Sequence, residues 1–111
     1  MDEKFPNLKD FQVHSCPGIQ QVLMKNLKNL QRLEKLYLGN NEIKTIEGNS
    51  FDDLASLKEL NLERNKLRNV NVNWFRNLRN LKLLVLSFNQ ISSLPENVFE
   101  YLKELTVLFI Y

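Results

Sequence analysis

The chain is poor in the residues that shape small or specialised proteins. It has one cysteine, so no disulfide can close within it and a stapled mini-protein is excluded. Three glycines and three prolines in 111 residues rule out collagen-like repeats and long flexible linkers. No apolar run approaches the roughly 18 residues that a membrane-spanning helix requires, so no membrane insertion is expected of this segment. The opening Met1-Asp2-Glu3-Lys4-Phe5 lacks the apolar centre of a signal peptide. Charge of one sign is missing too. Fifteen Lys and Arg stand against thirteen Asp and Glu, a net +2, without the clustered basic charge that nucleic-acid binding needs. No nucleic-acid partner is expected. What is present, 43% hydrophobic and 25% charged residues, is the makeup of one folded soluble domain.

The leucines return with a fixed period. Leu33, Leu57, Leu81 and Leu105 are spaced by 24 residues, followed by Leu36, Leu60, Leu84, Leu108 and by Leu38, Leu62, Leu86, Ile110. Asn41, Asn65 and Asn89 keep the same spacing, as do Ile43, Leu67, Ile91 and Ile46, Val70, Leu94. Phe51, Phe75 and Phe99, with Leu54, Leu78 and Leu102, close the pattern. A worn copy lies upstream in Leu8, Phe11, Val13 and Cys16, then Ile19, Val22, Leu27 and Leu30, with one extra residue near Pro17-Gly18. The chain therefore reads as a single domain over 1–111. Residues 1–7 end one repeat, 8–32, 33–56, 57–80 and 81–104 are repeats, and 105–111 begin another.

Within a unit, Leu-x-x-Leu-x-Leu alternates apolar and variable residues, the period-two mark of a half-buried strand. After the asparagine the spacing loosens to about three residues, which suits turns and at most a short helical turn, such as Ser50 to Ser56. One unit cannot bury its own apolar face, but stacked units place each leucine column against its copy. The expected fold is an α/β solenoid with one curved parallel sheet of four to five strands on its concave side. Irregular, short-helical returns form the convex side. The asparagines sit where the chain leaves each strand, and an amide carries the donors and acceptor needed to satisfy stranded backbone groups. Phe51, Phe75 and Phe99 are expected to form an aromatic spine on the convex side.

The pattern L-x-x-L-x-L-x-x-N-x-I-x-x-[ILV]-x-x-x-x-F-x-x-L resembles the leucine-rich repeat superfamily. Its "typical" 24-residue subclass is best matched by Leu81 to Phe99. That subclass includes Toll-like receptors, Slit-type guidance proteins, lamprey antigen receptors and insect immune repeat proteins. The resemblance implies a horseshoe, a recognition function for protein ligands and an extracellular address, as in a receptor ectodomain or innate-immune module. The flanking cysteine-rich caps and any N-x-[ST] glycosylation acceptor are absent, which fits a piece of a longer horseshoe. A cytoplasmic scaffold is the alternative address, in keeping with the single thiol.

No catalytic constellation emerges. His14 stands near Ser15 and Cys16, but alternate strand residues point to opposite faces and there is no second histidine. Two ligands fall short of a zinc site, so no metal and no cofactor is expected. Cys16 reads as a structural member of the asparagine column and His14 as a solvated strand residue. Asp52 and Asp53 read as a solvated face or helix-start charges. The variable strand positions are free of structural duty in this reading. They are polar in the early repeats and apolar in the late ones. Tyr37, Leu83, Val85, Phe88, Val107, Phe109 and Tyr111 are therefore the candidate ligand-binding residues, the late ones as one contiguous patch. The rival reading is structural, a homodimer paired through the end strand and that patch.

Overall fold

The computed structural model describes residues 5–110. Each Leu-x-Leu run becomes a three-residue strand: β1 Asp10–Gln12, β3 Lys35–Tyr37, β5 Glu59–Asn61, β6 Leu83–Val85 and β7 Val107–Phe109. All five lie parallel in one sheet, ordered β1-β3-β5-β6-β7. The register follows the repeat. Leu36 faces Leu60, Leu60 faces Leu84 and Leu84 faces Leu108, whereas Phe11 faces Leu36 across one residue more. Strands β2 Gln21–Val22 and β4 Thr45–Ile46 form a second, two-stranded parallel sheet in the returns. Gln21 pairs with Thr45, so the ordinary spacing is restored there and the extra residue of the first unit lies between β1 and β2.

The leucine columns fill the space between strands and returns. Leu33, Leu36, Leu57, Leu60, Leu81 and Leu84 are fully buried, together with Ile43, Phe51, Leu54, Phe75 and Leu78. The returns are chains of hydrogen-bonded turns. The stretch from Ser50 to Ser56 contains no helix, and short 3-10 turns occur instead at Met24–Asn26 and Val72–Phe75. The aromatic spine is partial. Phe75 packs on Phe99 at 5.8 Å between centroids and edge-on to Trp74 at 6.1 Å, while no ring pair among the described residues includes Phe51. Trp74 is the unforeseen member. Its indole N–H donates to the Ile46 carbonyl, as the Ser50 hydroxyl one repeat earlier donates to Val22.

The asparagines join the turns together. Asn65 Nδ2 donates to the Leu62 carbonyl in its own unit and to the Leu38 carbonyl in the preceding one, at 3.0 and 2.9 Å. Its Oδ1 accepts from the Ile43 backbone N–H. Asn89 repeats the arrangement with Leu86, Leu62 and Leu67. Asn41 donates to Leu38 and Val13, and its Oδ1 accepts from the Cys16 N–H. Cys16 therefore takes its place in the turn column through its backbone, leaving the asparagine ahead of it to act as acceptor.

Side-chain bonds between returns add lateral ties. Arg76 forks onto Asp52 through Nε and Nη2, and Asp53 Oδ2 accepts from the Asn29 N–H. Neighbouring returns use both acids, which corrects their reading as merely solvated charges. Lys58–Glu34 and Lys66–Glu42 are further pairs one repeat apart, exposed enough to contribute little each.

Asn65→Ala removes little apolar area but leaves buried carbonyls and an N–H without partners. It should cost about 1–3 kcal/mol per stranded group. Asn61→Ala loses only local bonds to Glu63, one from its N–H and a long one to its carboxylate, on the half-buried strand face, and should cost well under half as much. Urea unfolding of both variants measures the difference, and equal losses would contradict the proposed role of the ladder.

Candidate functional site

The strand face offers outward columns whose residues the stack does not dictate. The first reads Asp10, Lys35, Glu59, Leu83, Val107, and the second Gln12, Tyr37, Asn61, Val85, Phe109. A third column, His14, Gly39, Glu63, Ser87, follows at the strand exits, and beside it runs Ser15, Asn40, Arg64, Phe88.

The early half satisfies itself. Gln12 donates to Asp10, and Asn61 accepts from the Glu63 N–H while its own amide reaches the Glu63 carboxylate. The Tyr37 hydroxyl donates to Glu59 Oε1. That hydrogen bond, then burial, then the charges of Glu59 and Asp10 push the Tyr37 phenol up to about 12. His14 is exposed and Cys16 is partly buried. Among the described residues no three His, Cys, Asp or Glu side chains converge as metal ligands.

The late half is apolar and open, though less uniformly than the sequence implies. Phe88, Phe109 and Val107 are 49%, 45% and 40% exposed, and Leu83 is half-buried. Val85 is only 7% exposed, flanked by Asn61 on β5 and Phe109 on β7. On a surface that curves inward, outward side chains crowd together. Val85 is thus a floor under the patch and cannot itself be a broad contact. Ser87 is also buried, and its hydroxyl has no hydrogen bond among the described residues. Tyr111 lies outside the described residues. Leu108 belongs to the core column yet is 38% exposed, which adds to the apolar surface beside β7.

One column carries a backbone feature that the leucine spacing does not reveal. Ser15, Asn40, Arg64 and Phe88, each just before the asparagine-column residue, all have φ between 54° and 60°. The chain turns out of the strand through the left-handed region, which Asn tolerates and bulky side chains resist. Neighbours in the column pair laterally. Asn40 donates to the Ser15 hydroxyl, and the Arg64 guanidinium lies 4.3 Å above the centre of the Phe88 ring. The assumption that Phe88 is free of structural duty is therefore corrected. It occupies a strained turn position and holds Arg64. The signal for this was the column's place at the strand exit, read without its backbone geometry.

The family model described as "Leucine rich repeat" matches residues 6–67 and 56–110, and the chain belongs to that family. Its fold is similar to the crystal structure of the APL1 leucine-rich repeat domain. The TM-score is 0.87, with 26% identity over 95% of this chain. The chain spans only 28% of the length of that domain. A search by sequence against curated proteins finds no match. Members of this family are commonly non-catalytic protein-interaction modules.

Two predictions follow from this face. Phe88→Asn should relieve about 1–2 kcal/mol of left-handed backbone strain and forfeit about 0.5–1 kcal/mol of cation–ring attraction. The melting temperature should be unchanged or higher. A clear fall would show that the Phe88 side chain belongs to the fold.

Tyr37 supplies the second. Its folded phenol is held above its unfolded value, so the stabilisation is present below about pH 10. It is lost as pH rises toward about 12. Tyr37→Phe should remove that part of the alkaline loss of stability, as measured by urea midpoints across this range. Parallel curves for the two proteins would refute the Tyr37–Glu59 linkage.

Proposed function

We propose that the chain is a recognition module that binds a protein ligand through the late half of its strand face. The observation that carries this reading is the exposure of Val107 and Phe109 on β7 and of Phe88 at the exit of β6, on either side of the buried Val85. Contiguous apolar patches on a folded surface mark interaction sites more often than scattered apolar residues do. The aromatic members are the side chains that most often anchor interfaces. Tyr37, tied to Glu59, sits on the polar side and sets the edge of the contact. The likeness to the typical 24-residue subclass supports, within this proposal, an extracellular role as part of a receptor or immune recognition protein.

The test is selection of random phage-displayed peptides on the immobilised domain, followed by titration of the selected peptides. Phe109→Ser should lower the melt slightly without unfolding the domain, and weaken binding by on the order of 1–3 kcal/mol. Peptides that bind the variant as well as the parent would remove the patch as the site. A concentration-dependent homodimer in sedimentation, abolished by the same substitution, would favour the structural reading instead.

A further inference from the structure

The charged side chains at the rim of the patch are arranged unequally. Glu63 and Arg64 are adjacent, yet they lie over opposite neighbours. Glu63 leans toward β3, its Cγ 3.2 Å from where a Gly39 β-carbon would stand, and it receives the Asn61 amide. Gly39 makes room for that side chain. Arg64 leans the other way, toward β6, with its guanidinium over Phe88. Among the described residues the Arg64 side chain makes no ion pair and no hydrogen bond.

The consequence is a guanidinium held over a ring while its N–H groups have no hydrogen-bond partner among the described residues. The ring below localises the guanidinium, which lowers the entropy that a flexible arginine loses on binding. The N–H groups along the edges of the guanidinium form the fork that matches a carboxylate with two parallel bonds. The surrounding surface is apolar on the β6 and β7 side, where Leu83, Val107 and Phe109 lie. The arginine stands three residues along the chain beyond the Val85–Phe109 row, at the turn where the strand ends.

We propose that Arg64, held by Phe88, reads a carboxylate on the protein ligand. The neighbouring apolar patch takes an aliphatic or aromatic side chain two or three residues away from it in an extended segment. This deepens the proposed function and rests on it. Phe88 is a positioning residue that acts through Arg64. The strained backbone beneath Phe88 places the ring where a residue better suited to the turn would offer no platform.

The experiment uses peptides selected by phage display on the whole domain, each synthesised in two forms, with its Asp or Glu or with the matching Asn or Gln. Selected sequences should carry an acid near an apolar residue. The acidic form should bind the parent domain at least about tenfold more tightly than its amide counterpart. In Arg64→Gln that ratio should fall to about one while apolar binding persists. Arg64→Lys should keep a reduced ratio, because a point charge replaces the fork. Phe88→Asn, which suits the turn, should lower the ratio without unfolding the protein. A ratio near one on the parent, or one unchanged in Arg64→Gln, overturns the carboxylate assignment. If Phe109→Ser still abolishes binding in that case, the apolar site stands alone. Selection that yields no binder, or peptides insensitive to both Phe109→Ser and Arg64→Gln, overturns both readings.

Discussion

The structure depends on how a parallel strand is allowed to end. A strand of three residues stops after two or three ladder bonds, and the chain must then turn while still packed against its neighbour. The turn strands carbonyls and an N–H in a place water does not reach, where each unpaired group costs about 1–3 kcal/mol. Asn65 resolves this with one side chain, donating to Leu62 and Leu38 and accepting from Ile43. Because the same amide serves two repeats, it also sets their mutual register. Leucine columns alone tolerate small slips, whereas this set of bonds does not. The left-handed residue just before each asparagine-column position follows from the same turn. The convex side has a looser counterpart, in which Ser50 and then Trp74 donate to the preceding return.

A stack held this way is close to one-dimensional, since each unit touches only its neighbours. Outward strand positions are then released from the fold and can follow a ligand. The two halves of the strand face have used this freedom differently. The early half closes on itself, with Tyr37 on Glu59 and Gln12 on Asp10, so its polar groups are largely engaged. Among the described residues the late half closes no such pairs over Val107 and Phe109, and much of their apolar area stays exposed. Val85 and Ser87 show the limit of the freedom. Curvature draws their neighbours over them, and a position that alternation places outside is buried in fact.

Much of the fold was legible because periodicity reports on burial. The columns at Leu36, Leu60 and Leu84, the asparagine column and the extra residue before β2 all leave a trace in spacing alone. The features that escaped depend on geometry that spacing does not encode. Strands β2 and β4 are two residues long, too short for alternation to register. Trp74 replaces Ser50 as a donor, a chemical equivalence between unlike residue types. The left-handed column is set by the turn and is occupied by Ser, Asn, Arg and Phe, which share no composition signal. The apolar candidates Phe88, Phe109 and Val107 were visible as breaks from the polar early columns. The engagement of Phe88 with Arg64 was not, because it requires knowing which way each side chain leans.

At Phe88 the demands of fold and surface conflict, as they do for Arg64 in the same left-handed column. At the equivalent turns the chain uses Ser15 and Asn40, small polar residues that pair with each other. At Phe88 it uses a side chain that resists the same backbone conformation, on a surface where the ring is half exposed. Burial therefore compensates little of the strain at the turn. The contact with Arg64 compensates some, since cation–ring attraction at an exposed site is about 0.5–1 kcal/mol. What the ring gives in return is orientation. It gives a long side chain a fixed place over the ring, beside exposed apolar residues. Stability alone would favour asparagine at this turn. The aromatic residue is intelligible when the turn is part of a surface that recognises something.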